Sequence, residues 1–180
     1  MIKKIIKIVI ISVVVLLVCR GPIYRSLVTY KSVGVRHNYK IHDINLIDYI
    51  ETNKKTNIRT VEDVIKNSLS ITSNKLNFTV NKNDNDPNKL IISKNAHCVG
   101  YAAFFSSTCN YLLKKNNLND DWVAKPQIGH LYLLNNNIHK LFKSSFFKDH
   151  DFVLITNKKT GESFSVDPTV DDYLYIDIVS

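Results

Sequence analysis

The chain has 180 residues, enough for one domain with a sizeable hydrophobic core and a short additional element. Hydrophobic residues make up 44% of the sequence, which argues against disorder throughout. The net charge of +8 comes mostly from scattered lysines, without an arginine-rich or aromatic-interleaved basic face, so we expect no nucleic-acid partner. Such a charge usually marks a solvated surface, and a weak attraction to anionic membrane is the alternative.

Residues 1–22 are predicted to form a signal anchor or a signal peptide. Lysines precede the apolar run Ile8–Val18, in which Ser12 is the one polar residue, and Arg20 closes it. That length matches the core of a signal peptide better than a full span of about 20 residues, yet no small-residue cleavage site follows. We expect an uncleaved membrane anchor with the domain outside the cytoplasm, because the lysines favour a cytoplasmic N-terminus. A cleaved signal, and hence a secreted protein, is the alternative. A buried core helix is less favoured because the segment is apolar on all sides.

The remaining chain divides into a connector, residues 23–57, and one domain, residues 58–180. The connector has mixed composition with a short helix in its second half. The domain opens on a clearer helix, because Thr60 is a good N-cap and Asp63, three residues later, resembles the acid of a capping box. Further along, two strand pieces are predicted on either side of a turn at Pro126–Gly129.

Cys98 begins the most regular helical pattern of the chain. From it, apolar residues recur at helical spacing to Leu113. We expect Cys98 at the N-terminus of this helix and on its buried face, where unpaired backbone N–H groups and the helix dipole favour a thiolate. The alternative is a small buried hydrophobic residue, since free cysteines are often buried.

The other two cysteines, at positions 19 and 109, do not suggest a disulfide framework. Cys98 and Cys109 lie on one predicted helix, about 16 Å apart along its axis, so they cannot bridge each other. Cys19 lies in the hydrophobic N-terminal segment. No CxxC pair or other ligand spacing is present, so we expect no metal site and no cofactor. A cysteine is therefore available as a nucleophile.

A hairpin near the C-terminus is predicted to bring a histidine and an aspartate together. Two strand patterns flank the turn Asn157–Gly161. Centring the hairpin between Lys158 and Lys159 places His150 opposite Asp167, with Cβ atoms about 5 Å apart. A one-residue bulge would break this alignment. The alternatives are an ordinary surface histidine and an aspartate that begins an Asp-Pro turn.

Cys98, His150 and Asp167 together match the parts of a thiol triad. Cys98 would be the nucleophile, and His150 would take its proton and later protonate a leaving group. Asp167 would fix the tautomer of His150 and stabilise its charged form. The backbone N–H of Cys98 would supply part of an oxyanion hole.

The order Cys98-x-Gly-Tyr-Ala, His150-x-Phe-Val-x-Ile and Val-Asp167-Pro-Thr resembles the transglutaminase-like superfamily, over about Val61 to Tyr173. The resemblance implies an α+β fold with a papain-like core, whose cysteine-bearing helix packs on an antiparallel sheet, here preceded by the N-terminal hydrophobic helix. It also implies acyl transfer through a thioester, used for peptide or amide hydrolysis or for cross-linking. Relatives complete the oxyanion hole with an upstream tryptophan or glutamine. This chain has only Trp122 and Gln127, both downstream.

The first hypothesis is therefore a membrane-anchored cysteine hydrolase, such as a cysteine protease, or an acyltransferase that acts on a peptide or protein substrate. The second is a catalytically weak or inactive module on the same fold that binds a peptide or a cell-envelope fragment. The third is a membrane-linked partner subunit whose cysteine helix merely packs. The substrate, the choice between hydrolysis and transamidation, and the oligomeric state stay open.

Overall fold

The computed structural model describes residues 2–180, and within them the fold is α+β, as predicted, with an antiparallel sheet covered by helices. The strands are β1 Val28–Val35, β2 Asn77–Phe78, β3 Asn95–Ala96, β4 Trp122–Leu133, β5 Asn136–Asn137, β6 His150–Asn157 and β7 Ser163–Val166. The helices are α1 Ile2–Val18, α2 Arg20–Leu27, α3 Ile44–Asn53, α4 Val61–Ser73, α5 Pro87–Ser93, α6 Cys98–Lys115 and α7 Pro168–Leu174. The main sheet has the order β1-β4-β6-β7, with β5 paired to the end of β4, while β2 and β3 form a separate parallel pair.

Strand β4 is continuous, so the predicted turn at Pro126–Gly129 is wrong. The Pro126 carbonyl accepts a hydrogen bond from the Arg36 N–H at 2.9 Å, so Pro126 faces the side of β4 on which β1 lies. In an antiparallel strand the nitrogen and carbonyl of one residue face the same neighbour, so the proline nitrogen faces the place where β1 has already ended at Val35. The missing N–H therefore interrupts neither the β1 ladder nor the β6 ladder.

The predicted connector, residues 23–57, contributes a strand and a helix to the folded body. Strand β1 pairs with β4 from Val28 opposite Leu133 to Val35 opposite Gln127, with a shift of register at Val33. Helix α3 places two fully buried side chains, Leu46 and Ile50, in the main hydrophobic core. This segment is therefore part of the domain rather than a link to it.

The two helices predicted most clearly are confirmed. Helix α4 begins with the predicted capping box, in which the Thr60 hydroxyl accepts from the Asp63 N–H and the Asp63 carboxylate accepts from the Thr60 N–H. Helix α6 begins at Cys98 and packs fully buried aromatic side chains, Phe104 and Phe105 among them, in the core that it shares with the inner face of β6. This packing fixes the start of α6 near the start of β6.

Helices α1 and α2 form a bent pair at the N-terminus. Among the described residues no single helix is long and apolar enough to cross a membrane, whereas Lys4–Val18 and Arg20–Leu27 together meet that length and composition across a bend of 70°. Ile5, Ile6 and the large apolar side chains from Val9 to Val18 are about half exposed or more. Helix α2 is tied to the end of the chain, since the Arg25 guanidinium donates to the Ile178 carbonyl at 3.0 Å. The membrane anchor stays a prediction.

Candidate active site

Strands β6 and β7 form the predicted hairpin, but in a different register. Val153 pairs with Val166 and Ile155 with Phe164, so the hairpin is centred one residue later than predicted. The turn closes where the Gly161 N–H donates to the Asn157 carbonyl, and Gly161 adopts a φ of +77°, which glycine allows. The predicted direct opposition of His150 and Asp167 is therefore wrong.

His150 and Asp167 nevertheless meet. Each partner is displaced by two positions, and because strand side chains alternate with period two, both residues keep the same face. Asp167 lies just past the end of β7 and contacts His150 diagonally, with His150 Nε2 at 2.6 Å from Asp167 Oδ2. The pair arises from the diagonal reach of an imidazole rather than from direct cross-strand pairing.

Asp167 is fully buried and accepts four hydrogen bonds. Oδ2 accepts from His150 and from the Tyr30 hydroxyl, the latter at 2.8 Å. Oδ1 caps α7 by accepting from the backbone N–H groups of Thr169 and Val170, at 3.0 and 3.2 Å. Burial alone would raise the pKa of this carboxyl, but the charge and hydrogen bond of His150 and the bond from Tyr30 outweigh it and lower the pKa. Asp167 is therefore ionised at neutral pH.

His150 lies between Asp167 and Cys98. Burial would lower the pKa of its ring, but the charge and hydrogen bond of Asp167, with a smaller contribution from Cys98, raise that pKa well above its ordinary 6.5. Because Nε2 is bonded to Asp167, Nδ1 is the nitrogen left for the thiol. The ring is held as an imidazolium at neutral pH, with its Nε2–H donated to the Asp167 carboxylate.

Cys98 is buried at the first position of α6, as predicted. Burial would raise the pKa of its thiol, but hydrogen bonds from His150 and His97, the charge of His150 and a bond from the Asp151 backbone N–H lower it to about 7. His97 also caps the helix, since its Nδ1 accepts from the Val99 N–H at 3.3 Å. The structure thus brings the three predicted residues into one row, Cys98 against His150 and His150 against Asp167.

Two tyrosines extend this row and were missed in the sequence. Tyr30, on β1, donates to Asp167, so the hydroxyl of Tyr24 on α2, 2.5 Å away, must donate to Tyr30. Burial raises the pKa of both phenols, that of Tyr24 to about 12, so both remain neutral donors. The signal that could have found Tyr30 is the β-branched run around it, Val28-Thr-Tyr-Lys-Ser-Val33, which is typical of a strand.

A partly buried ion pair, which the sequence did not reveal, adjoins the triad. The fully buried carboxylate of Asp151, next to His150 on β6, accepts two hydrogen bonds from the Arg36 guanidinium, at 2.9 and 3.1 Å. The pKa of Arg36 is raised, first by this hydrogen bond and to a smaller extent by the charges of Asp149 and Cys98. Arg36 therefore places a fixed positive charge near the thiolate.

The two side chains considered for the oxyanion hole are engaged elsewhere. The Gln127 amide is hydrogen-bonded within the sheet, accepting from the Ser32 hydroxyl at 2.8 Å and donating to the Lys125 carbonyl at 3.0 Å. Trp122 stacks on Phe164 at the end of the sheet away from His150. The backbone N–H of Cys98, in the unpaired first turn of α6, is the donor that the helix supplies at the sulfur.

A cleft of about 890 Å³ lies elsewhere, along the C-terminal half of α6. Its lining includes the side chains of Tyr39, Lys40, Ser107 and Tyr111. Ser107 is about 14 Å from Cys98 along the helix axis, judged from the rise per residue. This cleft is therefore separate from the triad.

Within residues 2–180 no group of three or more histidine, cysteine or acidic side chains is arranged to hold a metal ion. Comparison of the chain with protein-family models, with curated proteins and with solved structures gives no match. The geometry and electrostatics of the triad are thus the basis for a function.

Proposed function

We propose that the chain is a cysteine hydrolase or acyltransferase that acts on peptide or amide bonds through Cys98, His150 and Asp167. The observation that carries the proposal is the position of the His150 ring between a buried, ionised carboxylate and a thiol whose pKa falls to about 7. A thiolate and an imidazolium then coexist at neutral pH, which is the resting state that nucleophilic catalysis by cysteine needs.

The reaction follows from these charges. The Cys98 thiolate attacks the carbonyl carbon of the substrate, and the oxygen that becomes negative accepts a hydrogen bond from the Cys98 N–H. The imidazolium of His150 gives its Nδ1 proton to the leaving amine, the C–N bond breaks, and a thioester remains. His150 then takes a proton from water or from an acceptor amine as that molecule attacks the thioester. The products are an acid or a new amide, and the thiolate returns. Asp167 keeps the ring oriented throughout.

A transglutaminase-like, papain-like core is the family and fold that we propose for this site. It is supported by a cysteine at the start of a helix that packs on an antiparallel sheet, followed along the chain by a hairpin that bears the histidine and the aspartate. We propose attachment to a membrane through α1, which is supported by the apolar side chains that this helix leaves exposed.

A binding module that is weak or inactive as a catalyst is the second candidate. The observation that favours it is the Gln127 amide, which is hydrogen-bonded within the sheet and is therefore engaged away from the oxyanion hole. Losing one such donor lowers the rate by about 10²–10³-fold in other acyl-transfer enzymes.

The deciding experiment is an acyl-enzyme burst with an activated ester, p-nitrophenyl acetate, using the full chain in detergent. The first proposal predicts release of about one equivalent of p-nitrophenol per chain, with the acetyl group located on Cys98 by peptide mass spectrometry. Cys98→Ala should abolish the burst, and His150→Gln should slow it by about 10²-fold or more. Cys109→Ala is the matched control, since Cys109 is fully buried on the same helix with a pKa raised to about 12.

Absence of a burst from protein that is folded by circular dichroism would contradict the catalytic proposal and favour the binding module. A burst that survives Cys98→Ala would contradict the assignment of the nucleophile. If the burst occurs, adding glycine methyl ester as an acceptor amine, with Cys98→Ala as the background, separates transamidation from hydrolysis by the product that accumulates.

A further inference from the structure

The loop between β5 and β6, residues 138–148, exposes large apolar side chains beside the candidate active site. It contains two 3-10 turns, Ile138–Leu141 and Ser145–Phe147. Leu141 is 80% exposed, and Phe142 and Phe147 are 43% and 44% exposed. Leaving side chains of this size in water is unfavourable in proportion to the apolar surface that they expose. Covering these side chains would therefore lower the free energy of the protein.

The loop is held in place by a buried histidine. His139 Nε2 accepts from the Leu131 N–H at 3.0 Å, and its Nδ1 lies 2.8 Å from the Phe147 carbonyl, to which it donates. Since His139 ties both ends of the loop to β4, the exposed side chains are presented outward from a fixed base. The apolar side chains are therefore exposed although the loop that bears them is anchored to the sheet.

An aromatic row joins this loop to the cap of the cysteine helix. Phe142 contacts Phe147 with ring centroids 4.9 Å apart, and Phe147 contacts Phe146 at 5.0 Å. Phe146 in turn lies edge-on to His97, at 6.2 Å. His97 caps α6 immediately before Cys98. Whatever covers the loop is therefore close to the nucleophile.

Lysines alternate with the apolar side chains of the loop. Lys140, Lys143 and Lys148 are exposed, and none of them forms a salt bridge within residues 2–180. Aromatic and aliphatic side chains mixed with lysine are typical of the interface of an anionic membrane, because the apolar parts enter the acyl boundary while the ammonium groups meet the headgroups. Protein interfaces, in contrast, are depleted in lysine.

The loop also lies at the end of the sheet where the N-terminal helices join. The Leu134 N–H, just before the loop, donates to the carbonyl of Leu27, the last residue of α2, at 2.9 Å. Leu133 and Leu134 are themselves exposed, so the apolar patch continues towards α2. The apolar helix α1 precedes α2 directly.

We propose that residues 133–134 and 138–148 form a second membrane contact, which rests on the surface of an anionic bilayer and holds Cys98 at that surface. The inference rests on the membrane attachment proposed for α1. In addition, the domain lies on the surface of the bilayer and is not attached to it through α1 alone. The substrate is then one whose peptide or amide bond lies at the membrane surface.

The test measures quenching of tryptophan fluorescence by lipid. The full chain carrying Leu141→Trp is added to vesicles of phosphatidylcholine and phosphatidylglycerol, with and without brominated acyl chains that quench the emission. The position is so exposed that the substitution does not disturb packing, and Phe142→Trp is the second variant. The native Trp122 is the internal reference, because it pairs with Asn157 at the opposite end of β6, about 23 Å from His150 by the rise of a strand. Thr160→Trp, in the exposed β6–β7 turn, is the matched control.

After subtraction of the wild-type spectrum, the emission added by Leu141→Trp should fall about twofold or more with brominated lipid, and that of Thr160→Trp should not change. Changing Lys140, Lys143 and Lys148 to glutamine should weaken the preference for anionic lipid by about fivefold per lysine. Equal emission with plain and brominated lipid in both loop variants would overturn the proposal. A concentration-dependent blue shift without quenching would overturn it too, because a second protein copy would then cover the loop. Flotation of the chain with the vesicles tests α1 separately, so an anchored chain without quenching refutes only the loop contact.

Discussion

Replacing Tyr30 with phenylalanine removes one hydroxyl from the site and leaves the ring in place. The ring packs edge-on to Phe152 with centroids 5.2 Å apart, and this contact is kept. The substitution removes the hydroxyl that donates a hydrogen bond of 2.8 Å to the buried carboxylate of Asp167. Because a hydrogen bond to a charged group contributes about 1.5–3 kcal/mol, we expect Tyr30→Phe to lower the free energy of unfolding by that amount. Tyr24→Phe, which removes a bond to a neutral hydroxyl, should lower it by only about 0.5–1.5 kcal/mol.

Urea unfolding at pH 7, followed by circular dichroism, measures both values. The pKa of Asp167 is lowered in the folded chain, so its contribution is full above the unfolded carboxyl pKa of about 3.9 and is lost as the pH falls through the folded value. The difference between wild type and Tyr30→Phe should therefore shrink below about pH 4. A Tyr30→Phe variant as stable as wild type, or a larger loss from Tyr24→Phe than from Tyr30→Phe, would refute the order of donors described for this row.

Two substitutions test the surroundings of the triad, and one labelling experiment tests the core beneath it. Gly129→Ala would place a Cβ 2.7 Å from the Phe152 ring and should destabilise the chain by about 1–3 kcal/mol; an unchanged melting temperature in calorimetry would contradict that packing. Arg36→Gln leaves the buried Asp151 carboxylate without its ion partner and should lower the free energy of unfolding at pH 7 by about 1–3 kcal/mol. Burial raises the pKa of Asp151, so this loss should be larger at pH 7 than at about pH 4 in urea titrations, and an equal loss would count against the pair. Cys109, fully buried with a pKa raised to about 12, should react with a disulfide reagent only on unfolding, and rapid labelling of the native chain would disprove its burial.

Helices α4 and α6 could be predicted from the sequence because their start signals depend only on neighbouring residues. The capping box at Thr60 and the helical spacing after Cys98 lie within a few residues, and both helices begin where those signals put them. The predicted hairpin register differs from the observed one by two positions. Because side chains alternate with period two, such a shift leaves every side chain on its predicted face, and the alternation alone does not exclude it. The turn, closed by Gly161, sets the register instead.

The parts that could not be predicted depend on contacts between distant segments. Tyr30 and Asp167 are 137 residues apart, and no local pattern indicates that a strand in the predicted connector reaches the aspartate. Pro126 indicated a turn because proline is rare inside sheets, yet the end of β1 leaves room for it on one side of β4. The triad was accessible from residue order and hairpin geometry, whereas its supporting tyrosines and the Arg36–Asp151 pair required the tertiary fold.

We propose that His150 and Asp167 turn Cys98 into a thiolate at neutral pH. The decisive measurement is the rate of Cys98 alkylation by iodoacetamide as a function of pH, read by peptide mass spectrometry and compared with His150→Gln and with urea-unfolded chain. We expect a wild-type midpoint at about 7 and a higher midpoint in His150→Gln, nearer to the ordinary thiol value of 9.0. A wild-type midpoint near 9.0 that His150→Gln leaves unchanged would contradict it.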